Sequence, residues 1–369
     1  MTICDADLRL LDRAARWAVR GHGLVEPNPM VGCVLSDAQG RVRAMASHEF
    51  FGGPHAEILT LQQAGELARN ATIHVTLEPC AHQGKTPPCV QALINAGVQR
   101  VVIGTRDPNP EAGGGAEQLQ AAGITVEFAE HMPSTRLIEP FRTRLIHKRP
   151  WITIKWAQTL DGRIATRSGD SRWISSRASR RLVHRERGRV DAILTGIGTV
   201  LRDDPQLTAR DVRCRRIATR VVLDRSLRTP LESSLLATIE LAPLLLVTDE
   251  TLLDSPEAQA LRSRGAMLIG RPLISDRFDL PSLMQELHRT HRFSNMLVEA
   301  GTGLMSHMVH TGCADELAIF LAPRLMGDPE GYPPLSEEVI KTISEARRVR
   351  LDHIHRRDVD VLLRCRVES

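Results

Sequence analysis

The sequence predicts an α/β protein of two domains that meet near residue 148. Its 369 residues exceed what one hydrophobic core ordinarily serves. Short apolar, β-branched runs alternate with stretches of helical period in both halves of the chain. Between residues 132 and 150 the pattern loosens, basic residues accumulate and Pro150 would stop any helix. We therefore assign residues 1–148 to a first domain and residues 149–369 to a second.

The first half alternates strands with helices, which predicts a three-layer arrangement. Leu8, Leu11, Ala15 and Val19 recur at helical spacing and predict a helix over residues 5–20. Gly97 is placed to end a later helix. After the first helix, the predicted order is strand 30–37, strand 41–47, helix 55–68, strand 73–79, helix 89–97, strand 98–105, a short helix from 113 and strand 124–130.

The second half repeats this alternation with a different set of strands, and helical stretches lie between several of them. No fixed-period repeat or low-complexity tract interrupts it. The predicted strands cover residues 151–158, 190–196, 219–224, 243–249, 266–270, 295–301, 315–322 and 358–368.

Composition narrows the partners that we expect. Aromatic residues make up 3% of the chain, which leaves no stacking platform for single-stranded nucleic acid. Lysine and arginine are spread out and give a net charge of only +4, so we expect no nucleic-acid partner. The first twenty residues carry frequent charges without an apolar core, and no run is long enough for a membrane span. With seven cysteines, an odd number, we expect a cytoplasmic protein without a membrane partner.

Four residues of the first half form a candidate catalytic metal site. His55, Cys80 and Cys89 supply one nitrogen and two thiolates, a set that suits zinc and leaves a fourth position open. His55 and Cys89 each begin a predicted helix, where the free N–H groups favour anionic ligands. Glu57, two residues after His55, is placed to move protons between water and a leaving amine. This pattern predicts a zinc-dependent deaminase acting on an amidine-like carbon of a nitrogen heterocycle.

Other interpretations of these residues are a closed structural zinc site or three unrelated buried side chains. His82 as a fourth ligand would close the site, which the chemistry disfavours. The usual deaminase motif has Cys-x-x-Cys, whereas eight residues separate Cys80 from Cys89 here. We expect the remaining cysteines to be packing residues: Cys4, Cys33, Cys214, Cys313 and Cys365.

The loop between the two cysteines carries a family resemblance. His-x-Gly-Lys-Thr-Pro-Pro-Cys follows Leu-Glu-Pro-Cys, together with Pro-Asn-Pro-x-Val-Gly at 27–32 and Asp-Pro-Asn-Pro at 107–110. The chain thus resembles the bifunctional riboflavin-biosynthesis deaminase/reductases. The resemblance implies a cytidine-deaminase-like α/β/α sandwich that removes the C2 amino group of 2,5-diamino-6-ribosylamino-4(3H)-pyrimidinone 5′-phosphate. It implies that the substrate contacts are Asn28, His48, His82, Lys85, Asp107 and Asn109, where Lys85 suits the phosphate.

The second half resembles the reductase part of the same family. The matching segments are 154–165, 168–175, 196–210 and 298–304. The resemblance implies a dihydrofolate-reductase-like α/β domain that uses NADPH to reduce the ribosyl group to ribityl. It implies NADPH contacts at Ala157, Trp173, Thr199, Asp203, Arg225, Gly301, Thr302, Gly303 and Leu304. The implied substrate contacts are Ser171, Arg187, Leu207, Arg210 and Glu299.

Several of these positions also have plainer interpretations. Residues 298–303 end a strand and open a helix, where N–H groups receive phosphate, although such turns are often mere connections and the Rossmann glycine spacing is absent. Arg187 lies in a run that looks like a solvated helix face. Trp156 and Gln158 are larger than the residues common there in the family. We expect Lys155 and Asp203 to polarise or protonate the opened ribose imine as hydride arrives.

Two other functions compete with this interpretation. A nucleic-acid deaminase of the transfer-RNA adenosine type, joined to an unrelated domain, would share the zinc chemistry but predicts a basic face with interleaved aromatics. A zinc-stabilised binding protein would leave Glu57 inert. For the favoured enzyme we expect a phosphorylated pyrimidine as the small-molecule partner and a homo-oligomer, in the first instance a dimer through the reductase domain.

Overall fold

The computed structural model describes residues 3–82, 88–110, 112–336 and 341–368. The chain divides into two compact units, Met1–Lys148 and Arg149–Ser369. Each unit has its own sheet and its own hydrophobic core.

The first unit is a five-stranded sheet with helices on both faces. In the order β2-β1-β3-β4-β5, β1 runs antiparallel to β2 and β3, and the last three strands are parallel. The strands are β1 (Gly32–Ser36), β2 (Val42–Ser47), β3 (Thr72–Val75), β4 (Arg100–Ile103) and β5 (Thr125–Phe128). The helices are α1 (Asp5–Ala18), α2 (Ala56–Ala64), α3 (Cys89–Asn95), α4 (Gly115–Ala121) and α5 (Met132–His147), with 3₁₀ turns at Val19–Gly21 and Gly65–Ala68.

Apolar residues on the two sides of this sheet explain the three layers. Alternate strand residues such as Leu35 and Ile73 pack with side chains of α2, α3 and α4, including Leu93. On the other side, α1 approaches the sheet so closely that a Cβ at Gly32 would lie 2.1 Å from the Ala14 carbonyl oxygen. A glycine is therefore required where α1 crosses β1. The predicted elements of this unit are confirmed.

Helix α5 is the α-helix of this unit that the sequence pattern does not predict. It occupies the segment where the pattern loosens, and Pro140 lies inside it. Its beginning is fixed to α1 by His131, whose Nε2 lies 3.1 Å from Asp12 Oδ1 and whose Nδ1 lies 2.9 Å from Ser134 Oγ. Leu137 is buried against α1. These tertiary contacts, which periodicity does not reveal, hold the helix.

A buried ion cluster fastens α1 to the sheet. The carboxylate of Asp7 lies 2.9 Å from His74 Nε2 on β3 and accepts hydrogen bonds of 2.7 and 3.0 Å from Arg100 on β4. Arg100 also pairs with Glu127 of β5. Burial raises the pKa of Asp7, but the hydrogen bonds from Arg100, Cys4 and His74 outweigh burial and hold that pKa well below its usual range.

We expect Asp7→Ala to lower the free energy of unfolding of the first unit by about 3 kcal/mol, because it leaves Arg100 buried with less compensation. A carboxyl whose pKa is lowered on folding stabilises above its unfolded pKa, and the contribution is lost as the pH falls. The difference between variant and wild type should therefore shrink in acid. Denaturant titrations at pH 7 and pH 2.5 measure it, because the loss occurs below the unfolded pKa of a carboxyl. Asp5→Ala, at an exposed carboxyl of the same helix, is the control, and an equal loss there would contradict the assignment.

The second unit contains a nine-stranded sheet in the order β10-β9-β8-β7-β13-β6-β14-β16-β15 and a separate hairpin of β11 and β12. Its strands are β6 (Trp151–Thr159), β7 (Ala192–Gly196), β8 (Thr219–Leu223), β9 (Leu244–Asp249), β10 (Met267–Arg271), β11 (Leu273–Ile274), β12 (Arg277–Phe278), β13 (Asn295–Val298), β14 (Glu316–Ala322), β15 (Val349–Arg357) and β16 (Asp360–Val367). Its helices are α6 (Arg177–Arg187), α7 (Ile197–Asp203), α8 (Ser234–Ala237), α9 (Pro256–Ser263), α10 (Leu280–His291) and α11 (Thr302–His310).

The sheet of this unit is parallel from β10 to β14. β16 runs antiparallel to both β14 and β15, so it is the single reversed strand among those described in this sheet. β7 and β13 are neighbours, so the loops after them emerge side by side at one edge. All eight predicted strands are confirmed. The short hairpin and β15 were missed, the latter because it is a largely exposed edge strand without an apolar run.

Three of the five cysteines predicted to be packing residues are buried, namely Cys33, Cys313 and Cys365. The prediction was wrong for Cys4 and Cys214, which are exposed. Cys4 instead precedes α1, where its Sγ donates to Asp7 at 3.2 Å. None of the helices described combines the length and the apolar character that a membrane crossing requires.

Candidate active sites

The three predicted metal ligands converge in the first unit. His55 is the N-cap of α2, Cys89 is the first residue of α3, and Cys80 lies in the loop after β3. His55 Nδ1 lies 3.2 Å from Cys89 Sγ and 3.6 Å from Cys80 Sγ, and the three ligand atoms lie within 4.8 Å of one another. The described part of the chain places one nitrogen and two sulfurs around a single point.

This donor set fits zinc. Tetrahedral zinc with Zn–S bonds of about 2.3 Å and Zn–N bonds of about 2.0 Å sets neighbouring ligand atoms roughly 3.5–3.8 Å apart. Hydrogen bonding from Cys89, and then from His55, lowers the pKa of Cys80 to about 4 against the effect of burial. The Cys89 backbone N–H also donates to Cys80 Sγ at 3.4 Å. The group therefore already favours a thiolate, the form that binds metal.

Glu57 lies in the first turn of α2 beside this cluster. It is only 3% exposed, and its Oε2 atom is buried with no hydrogen-bond partner among the described residues. Burial raises the pKa of Glu57, although nearby His55 acts in the opposite direction. A buried carboxylate oxygen without a partner is costly unless a bound molecule supplies one. The arrangement fits a group that exchanges protons with water and substrate.

A cavity of about 440 Å³ opens onto these residues. It is lined by Glu57, His55 and Cys80, and by the side chains of α5 described below. Five of the six predicted substrate contacts of the first unit also line it: Asn28, His48, His82, Asp107 and Asn109. The sixth, Lys85, lies outside the described residues. His82 is not part of the metal-binding group of described residues.

The contacts of His48 define one wall of this cavity. His48 Nδ1 lies 3.0 Å from the Pro54 carbonyl oxygen, which accepts, so Nδ1 carries the proton. Nε2 is then free to accept from the Asn28 amide at 3.5 Å. Burial lowers the pKa of His48, which favours this neutral form. His48 thereby links the substrate-side amide to the backbone immediately before His55.

Glu78 is a structurally important residue whose role no motif of the sequence predicts. Its carboxylate accepts from the backbone N–H of Ala116, at 3.1 Å, and of Asp107, at 3.3 Å. Gly115 is equally constrained, since a Cβ there would lie 1.9 Å from the Pro79 carbonyl oxygen. Together they fix the Cys80 loop against the start of α4. Burial, and the nearby Glu78 charge, raise the pKa of Asp107 to about 6.

In the second unit, two predicted substrate residues, Arg187 and Glu299, form a buried charge cluster with Lys155. Arg187, at the end of α6, donates to Glu299 from Nε at 2.6 Å and from Nη2 at 3.0 Å. Lys155 Nζ on β6 lies 3.6 Å from Glu299 Oε2. Burial raises the pKa of Glu299, but Arg187 and Lys155 overcome it and lower the pKa to about 2. The solvated-face interpretation of Arg187 was wrong, because its side chain is only 12% exposed.

A loop over residues 206–210 is attached to this cluster. Arg187 Nη1 donates to the Thr208 carbonyl oxygen at 3.3 Å, and the Arg210 N–H donates to His184 Nδ1 at 3.3 Å. Leu207 is buried in this loop and has a positive φ of 52°. The predicted contacts Arg187, Leu207, Arg210 and Glu299 are thus brought together. Ser171 lies instead in the loop before α6.

The predicted NADPH residues lie mainly at the edge where β7 and β13 end. Gly196 and Gly301 are the N-caps of α7 and α11, and neither helix start has a side-chain cap. A Cβ at Gly301 would meet nothing within 4 Å. Open N–H groups on two neighbouring helices fit the phosphates of a dinucleotide. On these turns lie Thr199, Gly301, Thr302, Gly303 and Leu304, with Asp203 at the end of α7.

The other predicted NADPH residues approach from separate elements. Trp173 is 61% exposed, with the Arg180 guanidinium 4.4 Å from its ring centroid. Arg172 Nη2 donates to the Asp203 carbonyl oxygen at 2.7 Å, which joins the Trp173 loop to α7. The remaining two are Ala157, on β6, and Arg225, whose Nη1 donates to the Asp276 carbonyl oxygen at 2.6 Å.

The structure explains the two residues that depart from the family pattern on β6. Trp156 is buried in the core of the second unit and is 6% exposed. Its indole N–H donates to Gln158 Oε1 at 2.6 Å. The larger residues therefore occur as a bonded pair, and the polar atom of one satisfies that of the other.

Comparisons with known proteins match a protein family to each unit. Residues 5–105 match the cytidine and deoxycytidylate deaminase zinc-binding region, and residues 150–363 match the RibD C-terminal domain. The chain is 37% identical to the riboflavin biosynthesis protein RibD of Aquifex aeolicus, with 98% of each chain covered. It is 37% identical to RibD of Escherichia coli, covering 95% of this chain and 96% of that one.

Solved structures give the same result for the fold. RibD of Acinetobacter baumannii aligns with a TM-score of 0.81 at 34% identity over 99% of both chains. A diaminohydroxyphosphoribosylaminopyrimidine deaminase/5-amino-6-(5-phosphoribosylamino)uracil reductase from Thermotoga maritima aligns with a TM-score of 0.81 at 32% identity. It covers 98% of this chain and 99% of that one.

The fold and the two sites define a bifunctional enzyme that joins a zinc-dependent deaminase to an NADPH-dependent reductase. A cytidine-deaminase-like unit is followed by a RibD-type reductase unit, as predicted. The chain belongs to the RibD family of riboflavin-biosynthesis enzymes. The alternative of a transfer-RNA type deaminase with an unrelated second domain is not favoured, because the family match covers both units.

Proposed function

We propose that the first unit hydrolyses the C2 amino group of 2,5-diamino-6-ribosylamino-4(3H)-pyrimidinone 5′-phosphate. The second unit then uses NADPH to reduce the ribosyl group, which gives 5-amino-6-ribitylaminouracil 5′-phosphate. The observation that carries the proposal is the cluster of His55, Cys80 and Cys89 beside a buried Glu57 oxygen without a partner. A merely structural metal site would have no need of that carboxylate.

In the deaminase unit, His55, Cys80 and Cys89 hold the metal. Zinc, when bound, would supply the Lewis acidity that lowers the pKa of water, so that a strong nucleophile is available at neutral pH. Glu57 accepts a proton on Oε2 from the attacking water and delivers it to the amine that leaves C2 as ammonia. The raised pKa of Glu57 suits both directions of this transfer.

The remaining cavity residues hold the substrate. Asn28, supported by His48, and Asn109 present amides to the pyrimidine edge, and Asp107 and His82 complete the wall. Lys85, from the sequence pattern, pairs with the phosphate. Apolar side chains that line the cavity, such as Val31, Leu77 and Phe141, keep bulk water away from the reacting carbon.

In the reductase unit, Arg187 and Lys155 hold the Glu299 carboxylate against the substrate. Arg210, which is exposed and bonded to Gln206, is the freer cation for the substrate phosphate, whereas Arg187 is committed to Glu299. NADPH supplies the hydride, and its contacts are the nine residues named above. Lys155 and Asp203 polarise the opened ribose imine or protonate its nitrogen as hydride arrives. Ser171 and Leu207 contact the substrate.

One experiment tests both halves. The protein is incubated with the diaminopyrimidinone ribosyl phosphate, with and without NADPH, and the products are followed by mass. Loss of one amino group without NADPH, followed by gain of two hydrogens with NADPH, is the expected result. An intact substrate in both incubations would overturn the proposal, and a deaminated product that NADPH leaves unchanged would overturn its second half.

We also propose that the enzyme is a cytoplasmic homodimer that associates through the second unit. The free thiols of Cys80 and Cys89 support a reducing compartment. β15 is an edge strand of the nine-stranded sheet and exposes Val349, Leu351 and Ile354, an arrangement that favours pairing with a second copy.

We expect Ile354→Asp to convert the dimer to monomers, because it places a charge in the paired edge. Light scattering measures the mass of each form. Val359→Asp, at an exposed residue between β15 and β16, is the matched control and should remain dimeric. A wild-type chain that is monomeric at all concentrations would contradict the dimer.

A further inference from the structure

Helix α5 supplies one wall of the deaminase cavity. Phe141, Arg144 and Leu145 line the cavity together with Asn28 and His48. None of the three belongs to the sequence motifs that identify the deaminase. Of these side chains only Arg144 carries a charge, and that charge faces a site that we propose takes an anionic substrate.

Arg144 makes few of the contacts available to a guanidinium. Its Nη2 donates to the Pro27 carbonyl oxygen at 3.1 Å, and its carbon Cζ lies 5.1 Å from the Phe141 ring centroid. Its Nε atom is buried without a partner, and no carboxylate in the described part of the chain forms an ion pair with it. Other half-buried arginines of this chain, such as Arg100 and Arg149, have a carboxylate.

A cation in this position is stabilised by an anion. Burial lowers the pKa of Arg144, so the protein environment works against the charge. Removing a cation from water without a counter-ion costs free energy that a bound anion restores. Guanidinium groups bind phosphate through two parallel N–H donors, and Nε with an Nη atom forms such a pair.

We propose that Arg144 binds the 5′-phosphate of the deaminase substrate and so selects phosphorylated over phosphate-free pyrimidines. This inference rests on the proposed function of the first unit. Its bond to Pro27 places Arg144 next to Asn28, the residue that we assign to the pyrimidine edge. Arg144 therefore adds to the role that the sequence pattern gives to Lys85.

The test compares deamination of the phosphorylated substrate and of its phosphate-free counterpart, both without NADPH, in the full-length zinc-loaded protein. We expect Arg144→Gln to lower kcat/KM for the phosphorylated compound by about 10–100-fold, the value of a charge-assisted hydrogen-bonded contact. The phosphate-free compound should be deaminated as by wild type, and Arg144→Lys should recover part of the preference. Arg142→Gln removes an exposed charge from the same helix and should change neither rate.

The outcomes separate this inference from the proposed function. An equal loss on both compounds would show that Arg144 only holds the Pro27 loop, which overturns the inference. An unchanged preference in Arg144→Gln overturns it as well, while an active wild-type chain leaves the proposed function standing. A wild-type chain that deaminates neither compound overturns both. Zinc content equal to that of wild type reports that the first unit of each variant is folded.

Discussion

Glu57→Gln is expected to lower the rate of deamination by about 10³-fold, because the amide cannot accept and return the proton. The substitution preserves size and burial at a residue that is 3% exposed. It changes no metal ligand, so the zinc content should equal that of wild type. Rates from ammonia release and zinc from elemental analysis give the two measurements. NADPH-dependent reduction of the deaminated intermediate should be unaffected.

Two matched variants make this result specific. Cys89→Ala removes a ligand and should lower both zinc content and deamination. Glu66→Gln neutralises an exposed carboxylate just beyond α2 and should behave as wild type. Full deamination by Glu57→Gln with zinc retained would show that Glu57 takes no part in proton transfer and is inert, as the binding-protein alternative holds for this residue.

The ligands of the metal site could be predicted from sequence motifs, whereas the residues that support them could not. His55, Cys80 and Cys89 are far apart in sequence but each is tied to a local element, a helix start or a strand end, so spacing and turn residues reveal it. The contribution of Glu78 depends instead on two backbone N–H groups 29 and 38 residues away. No local sequence pattern predicts such a contact.

The same distinction holds for the fold. Strands buried on both faces have continuous apolar runs, and β7 or β9 could be predicted from these alone. Helix α5 and the edge strand β15 could not be predicted in this way. Each buries few apolar residues and carries many charges, so neither has a continuous apolar run. The missed helix is functionally important, since it brings Arg144 to the cavity.

In the second unit, Lys155→Met is expected to lower NADPH-dependent reduction by about 10²–10³-fold while deamination continues at the wild-type rate. Burial lowers the pKa of Lys155, and Glu299 opposes that effect. A protonated Lys155 that donates to the imine nitrogen makes reduction fall as the pH rises through its pKa. That alkaline limb should lie below the ordinary range of lysine and disappear in the variant. Stopped-flow oxidation of NADPH across pH measures both effects.

A purely structural role for Lys155 predicts a different result. Lys155 Nζ lies 3.6 Å from Glu299 Oε2, and Lys155→Arg keeps a positive charge beside that carboxylate. Arginine, however, does not release its proton at these pH values. We therefore expect this variant to retain its thermal stability and remain defective in reduction. Lys341→Met, at an exposed lysine of the same unit, should be fully active. Recovery of reduction in Lys155→Arg would mean that Lys155 serves only to position Glu299, and the proton must then come from another group.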